Sequence, residues 1–292
     1  MERLAVLVGF GGQLSSDLMS VLKDYAVAPI PHSELEITDR SNIACKLGAL
    51  TASVVVNTAA FHNVEQCELN PTSAFAVNSL GVDNLAAHCA SGGIDFVTLS
   101  TDYVFDGAKQ RAYIESDAPN PLNAYAVSKY AGELLVKRHG ERYFIIRTAG
   151  LYGIHGSRNK GYTFIEKIFR QAEASEPIRV VDDMFFSPSY SLHVAQGIRR
   201  IFEGAPFGTY HVAGSGYCSW YDFAKMALEL GNLDADIAPV KYADFNSRVR
   251  RPMFSALENR AMKEAGLPDL PHWKDGLRAY LAERAALKAS SA

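Results

Sequence analysis

Leu4-Ala5-Val6-Leu7-Val8-Gly9-Phe10-Gly11-Gly12-Gln13-Leu14-Ser15 is the stretch that decides the fold. Its opening apolar run, with no polar alternation, reads as a strand buried on both faces, as in parallel sheets covered by helices. The run is too short for a signal-peptide core and passes directly into glycines. Gly9 and Gly12 permit a tight turn and a close approach of main chain to a ligand pyrophosphate. The helix predicted over Gln13–Lys23 presents unpaired N–H groups at its start. Ser15 stands where a third glycine would help that helix pack on the strand.

The same rhythm repeats downstream. Further strands are predicted at Ala26–Ile30, Val54–Asn57, Phe96–Ser100 and Tyr143–Arg147, separated by helices over Ser41–Leu50, Pro71–Ala90 and Asn123–His139. This alternation specifies an α/β fold, a Rossmann-type doubly wound parallel sheet whose ligands bind at the carboxyl ends of the strands. Residues 1–150 form the expected dinucleotide-binding domain, and 151–292 mainly a smaller C-terminal α/β substrate domain. Segment 178–204 is expected to return to the first domain, with Ile178–Val181 adding a strand to its sheet. Gly208–Val212 is another strand candidate. Helices are expected at Phe164–Ala174, Ser191–Phe202, Ser219–Gly231 and Trp273–Leu287, and a frayed tail after Leu287.

Composition narrows the function. The 292 residues, 48% hydrophobic and 21% charged, suit an ordinary globular enzyme or binding protein. A net charge of -3 offers no electrostatic basis for binding nucleic acid or an anionic membrane. No apolar run reaches the ~18 residues of a membrane span. Cys45, Cys67, Cys89 and Cys218 form no Cys-x-x-Cys pair and read as free thiols of a reducing, cytoplasmic setting. No metal-binding motif occurs.

The strand ends carry the candidate chemistry. Strand two ends at Ile30-Pro31-His32-Ser33 without the carboxylate that would grip the 2′-hydroxyl of NAD, which favours NADPH, with NADH as the alternative. Glu36 and Ile37 are candidates for the adenine pocket, while Thr38 or Asp39 suits a helix cap. Strand three ends at Asn57-Thr58-Ala59-Ala60-Phe61-His62, where small residues let main chain lie against a cofactor and His62 suits a polar wall. Asn78 is placed to brace strand main chain nearby. Strand four runs into Ser100-Thr101-Asp102-Tyr103-Val104-Phe105-Asp106-Gly107, putting a hydroxyl and a carboxylate at the ligand end. Asp102 reads equally as a loop cap or a substrate contact.

Tyr125 and Lys129 then fall one helical turn apart on one face. A fixed ammonium favours phenolate and draws the tyrosine pKa down from ~10, so that the phenol can act as a general acid near neutrality. Composition alone supplies about 0.6 chance matches to Tyr-x-x-x-Lys, and the chain holds two. Context separates them: Tyr125 follows the Thr101 loop, whereas Tyr221/Lys225 sits in an ordinary amphipathic helix capped by Ser219.

Taken together, Gly9-x-x-Gly12-Gln13-Leu14, Asn57–Ala60, the Ser100–Gly107 run, Tyr125-x-x-x-Lys129, Arg147-Thr148, Val181-Asp182-Asp183, Ser187–Tyr190, Gly208–His211 and Arg251-Pro252-x-x-Ser255-x-Leu257 resemble the extended short-chain dehydrogenases, most closely the dTDP-4-dehydrorhamnose reductase family. The resemblance spans nearly the whole chain. It implies hydride transfer from NADPH or NADH to C4 of a nucleotide-linked 4-keto-6-deoxy sugar. It makes Thr101, Tyr125 and Lys129 catalytic and places the cofactor on Gly9, Gly12, Gln13, Leu14, Glu36, Ile37, Thr58, Ala59, Ala60, Tyr125 and Lys129. The sugar nucleotide falls to Thr101, Asp102, Tyr103, Phe105 and Arg251, with Arg158 or Lys160 as further diphosphate candidates and Arg248 and Arg250 left to solvent. The chain departs from the family at Gly150, where a substrate-stacking tryptophan is usual, and Tyr152 is the candidate substitute. A sugar-nucleotide epimerase and a non-catalytic NADP-binding subunit like that of methionine adenosyltransferase share much of this set. A homodimer is also in keeping with it.

Overall fold

The computed structural model describes residues 3–156, 163–245 and 247–291. The first half runs β1 (Leu4–Phe10), α1 (Gln13–Val21), β2 (Ala26–Pro31), α2 (Arg40–Leu47), β3 (Val54–Asn57), α3 (Val64–Leu69), α4 (Pro71–Phe75), a π-helical turn (Ala76–Gly81), α5 (Val82–Gly92), β4 (Asp95–Thr101), α6 (Ala124–Lys137) and β5 (Tyr143–Thr148). The second half adds β6 (Leu151–Tyr152), α7 (Phe164–Glu173), β7 (Ile178–Val181), β8 (Phe185–Phe186), β9 (Ser189–Tyr190), α8 (Ser191–Gly204), β10 (Gly208–His211), β11 (Cys218–Ser219), α9 (Trp220–Leu230), β12 (Ile237–Val240), α10 (Arg260–Glu264) and α11 (Trp273–Ser291).

Six strands build one parallel sheet in the order β10-β5-β4-β3-β1-β2. The apolar strands explain its two covered faces. Ala5, Leu7, Val54 and Val56 pack toward Leu14 and Leu18 of α1 and Val194 and Ile198 of α8. Their neighbours Val6, Val8 and Val55 point the other way, toward Ile43 and Leu47 of α2 and Leu85 of α5. Each buried valine, leucine or isoleucine among them contributes about 1.5–3 kcal/mol of transfer free energy, so a register slip in these strands is strongly disfavoured. Because β2 lies on one side of β1 and β3 on the other, the winding reverses at β1, and a crevice opens at the carboxyl ends of β1 and β3.

The second half does not follow the expected route. Ile178–Val181 stays out of the main sheet and pairs in parallel with β12, Ile178 opposite Ile237 and Val181 opposite Val240. The place beside β5 goes to β10, with His211 opposite Arg147. The reason is a separate core, in which Ile165, Ile168 and Phe169 of α7 pack with Ile178, Val180, Phe223 and Leu277. Moving β7 into the sheet would strip that core. The following helix α8 does join the first body, packing on α1 through the core that contains Ala195 and Ile201. At the C-terminus α11 continues through Ser291 rather than fraying after Leu287, since the Lys-Ala-Ser run holds no helix breaker.

Candidate active site

The turn after β1 is shaped by Gly9 (φ +78°) and Gly11 (φ +100°). A Cβ on Gly9 would lie 2.6 Å from the Ala59 nitrogen, so this glycine lets the two ligand-facing loops touch. Gly11, passed over in the sequence, takes a left-handed conformation beside Gly9. Gly12 is instead the extended N-cap of α1, with no side-chain capping bond, and a Cβ there would meet nothing nearer than Ser15 Oγ at 3.9 Å. The first turn of α1 therefore opens on the crevice, as a pyrophosphate requires. Ser15 clasps the turn, its Oγ accepting from the Gly11 amide (3.0 Å) and donating to the Gly12 carbonyl (2.8 Å). Gln13, with its amide oxygen toward β6, accepts from the Tyr152 and Gly153 amides at 3.2 and 3.3 Å. Leu14 sends its side chain into the first core.

Thr58, Ala59 and Ala60 are half-buried along the facing loop. Thr58 Oγ1 donates to the Val8 carbonyl at 2.9 Å and ties the loop to β1. Glu36 is held by the Thr38 amide (3.0 Å) and hydroxyl (2.9 Å), and these bonds keep its carboxyl below the usual range despite some burial. Ile37 is a core residue rather than a pocket wall: its side chain is buried against Gly81, and its carbonyl accepts from Asn84 at 3.1 Å. Asp39, not Thr38, caps α2.

Helix α6 is positioned at its first residues. Asn123 caps it through the Ala126 amide (2.9 Å) and reaches the Arg250 carbonyl (2.8 Å), while Glu68 accepts from the Ala124 amide (2.9 Å). The π-helical turn lets α6 approach closely. A Cβ on Gly132 would fall 2.3 Å from the Asn78 carbonyl oxygen. Asn78 braces the loop after β3, exchanging 2.9 Å bonds with the Phe61 amide and carbonyl, and meets Ser128 on α6 at 3.0 Å.

Thr101 ends β4 with its hydroxyl donating to Asp102 Oδ1 at 3.1 Å and accepting from the Tyr103 amide at 3.2 Å. Tyr125 lies beside it, with the Tyr103 ring edge-on at 6.4 Å. Burial raises the Tyr125 pKa above its ordinary value; Thr101, as hydrogen-bond partner, opposes this, and the Asp102 charge adds to it. Lys129 is also buried, and burial draws its ammonium down to about 8 against the charges of Glu133 and Cys67. Lys129 is buried near Glu133 and Cys67. Glu133 is itself fixed by Arg147 (2.7 and 2.9 Å) and Ser100 (2.5 Å) in a buried pair.

Beside this face lies a cavity of 870 Å³ whose lining includes Tyr103, Phe164, Met184, Trp220 and Tyr242, with Lys167, Arg179, Arg248 and Arg251 among them. Arg251 donates to Ser247 Oγ (3.0 Å) and Tyr242 (3.3 Å) and pairs with Glu65. Arg248, left to solvent in the sequence reading, lines the cavity. Phe105 does not reach it: fully buried, it stacks on Tyr113 at 4.2 Å under the Arg147 guanidinium. Gly150 has φ +49°, and a Cβ there would lie 2.4 Å from the Phe186 ring. Phe186 in turn stacks on Trp220 at 3.8 Å. Tyr152 does not substitute for an aromatic at Gly150. It is buried in the second core against Tyr190, Phe223 and Tyr280. Trp220 is the ring missed in the sequence, hidden beside the Ser219–Asp222 capping box that marks Tyr221/Lys225 as an ordinary helix start. Arg158 and Lys160 lie outside the described residues.

The model of the family described as the RmlD substrate binding domain matches residues 3–286. The chain belongs to that family. The RmlD substrate binding domain thus spans both halves of the molecule, parallel sheet included. Among its relatives, the spore coat polysaccharide biosynthesis protein SpsK of Bacillus subtilis is 36% identical, covering 96% of this chain and 98% of its own length. A dTDP-4-keto-6-deoxy-D-glucose reductase of Streptomyces niveus is 34% identical over 93% of this chain and 94% of its own. The crystal structure of dTDP-4-dehydrorhamnose reductase from Bacillus anthracis in complex with NADP is similar at a TM-score of 0.93 and 32% identity, covering 97% of this chain and all (100%) of that one. UDP-glucose 4-epimerase of Thermotoga maritima, at a TM-score of 0.83 but 16% identity, shares the fold.

Proposed function

We propose that this protein is an NADPH-dependent 4-ketoreductase of a nucleotide-linked 4-keto-6-deoxy sugar, with dTDP-4-dehydrorhamnose as its substrate. The observation that carries this reading is the convergence of Thr101, Asp102 and Tyr125 at the end of β4, beside Tyr103, which lines the aromatic cavity. The open first turn of α1 and the glycine cradle fit a dinucleotide, which when bound supplies the hydride. Gly9, Gly12, Gln13 and Leu14 hold its pyrophosphate through main chain, Thr58–Ala60 border it, and Glu36 meets the adenosine end. Lys129 holds the ribose. Thr101 positions the Tyr125 phenol, and Tyr125 donates its proton to the carbonyl oxygen as that oxygen becomes a hydroxyl. Asp102 accepts from a sugar hydroxyl, Tyr103 borders the sugar, and Arg251 with Arg248 meets the diphosphate. Trp220 and Phe164 give the base an apolar wall.

The likeness to the Streptomyces niveus enzyme favours a second substrate, the sugar that has not been inverted, dTDP-4-keto-6-deoxy-D-glucose. NADPH oxidation with each of the two keto sugars decides between them, with NADH as the cofactor control. Rapid turnover of dTDP-4-dehydrorhamnose alone supports the first reading. Turnover of the glucose-series ketone alone replaces it with the second, and turnover of neither removes both. Among the described residues no helix is long and apolar enough to cross a membrane. A cytoplasmic location and a homodimer complete the proposal, the latter tested by sedimentation velocity.

A further inference from the structure

Asp102 is held from two directions. Its Oδ1 accepts from Thr101 Oγ1 at 3.1 Å, and its Oδ2 accepts from Ser255 Oγ at 2.5 Å. Ser255 comes from the far end of the chain and is 3% exposed. Its own segment is pinned on both sides. The Ser255 amide donates to the Phe185 carbonyl (2.8 Å), the Tyr113 amide to the Ala256 carbonyl (2.8 Å), and Phe254 and Leu257 form bridges with Phe185 and Tyr113. Gly107, after the Asp102 loop, packs so tightly on this strap that a Cβ would lie 2.8 Å from the Met253 amide. The hydroxyl of Ser255 is therefore a fixed donor aimed at one carboxylate oxygen.

The consequence falls on Thr101. A hydroxyl has one proton and two lone pairs. With that proton on Asp102, the Thr101 oxygen is free to accept from the Tyr103 amide and to meet the Tyr125 phenol. We propose that Ser255 is a positioning residue of the reaction: it holds Asp102 as an ionised acceptor, and Asp102 in turn fixes the Thr101 hydroxyl beside Tyr125. This role deepens the ketoreductase reading and rests on it. The titratable groups facing Asp102 are the phenols of Tyr103 on its own loop and Tyr125 on α6, both kept neutral by burial, while Arg251 acts on Tyr103. Burial raises Asp102 to about 6, with Ser255 and then Thr101 as the side chains that restrain it. Protonation of Asp102 removes the acceptor, so turnover falls as pH drops through about 6.

The test is the pH profile of turnover in the full-length protein for wild type, Ser255→Ala and Asp102→Asn. Loss of the Ser255 donor is expected to move the acid limb of Ser255→Ala upward by about half a pH unit or more, and Asp102→Asn is expected to show no such limb. An acid limb at the wild-type position in folded Ser255→Ala, or one that persists in Asp102→Asn, overturns the proposal. Carboxyl-carbon NMR of aspartate-labelled wild type and Ser255→Ala, with Asp102→Asn to assign the resonance, reads the same titration without substrate. An upward shift there supports the positioning role even where the keto sugar tried is not turned over, and an unmoved Asp102 titration overturns it whatever the substrate.

Discussion

Thr101 and Asp102, at most 6% exposed, are bonded to each other, to the Tyr103 amide and to Ser255. In the cavity lining Arg251 is paired with a Glu65 whose side chain is 56% exposed, among the aromatic rings of Phe164, Trp220 and Tyr242. One region is a buried, hydrogen-bonded lattice, the other an apolar cleft edged with solvated charge. On the proposed assignment the difference follows from their tasks. Proton donation requires atoms fixed to within a fraction of an ångström before the substrate arrives. Holding a nucleotide diphosphate requires area and cations that exchange solvent for ligand.

Changes in the lattice are therefore expected to cost rate, and changes in the cleft to alter affinity. Thr101→Val keeps the shape and removes the hydroxyl, and kcat is expected to fall about 100-fold or more with nucleotide binding retained. A comparable kcat in the variant would break the distinction. Gly150→Ala sets a Cβ against Phe186 at a left-handed φ, and a loss of about 2 kcal/mol in denaturant unfolding is expected. Because Phe186 backs Trp220, KM is expected to rise as well. An unchanged unfolding midpoint would show that Phe186 can give way at no cost. The smallest effect is expected at Glu65. Exposed ion pairs are worth about 1 kcal/mol at most, so Glu65→Gln, by freeing Arg251 for phosphate, is expected to lower KM for the sugar nucleotide by about two- to five-fold, with kcat unchanged. A higher KM would mean that Glu65 aims Arg251 rather than competing for it.

The same contrast explains what could be read from the chain. The proposed set Thr101, Tyr125 and Lys129 could be singled out in the sequence because the end of β4 and the start of α6 are neighbouring elements and the Tyr-x-x-x-Lys spacing is local. Even there proximity in sequence misled at Phe105, where Tyr113 and Arg147 draw the ring into the core. The glycine turn was legible as a turn, but the left-handed place of Gly11 was not, because Ser15 closes the turn on the Gly11 amide and the Gly12 carbonyl while Gly12 stays extended. The cleft was far less legible. Trp220, Arg248 and Glu65 become neighbours only through the second core, whose pairing of β7 with β12 carries no signal in local periodicity. Ser255 was visible as part of a motif, while its partner Asp102 lay in a distant loop.

The most direct test of the account is hydride transfer from saturating NADPH to dTDP-4-dehydrorhamnose in a single turnover, measured for wild type and Tyr125→Phe alongside NADPH binding by fluorescence. With the phenol as the proton donor, transfer is expected to slow about 100-fold or more while NADPH binds as before. Transfer at the wild-type rate in the folded variant would contradict the assignment of Tyr125 and, with it, the division between the catalytic lattice and the binding cleft.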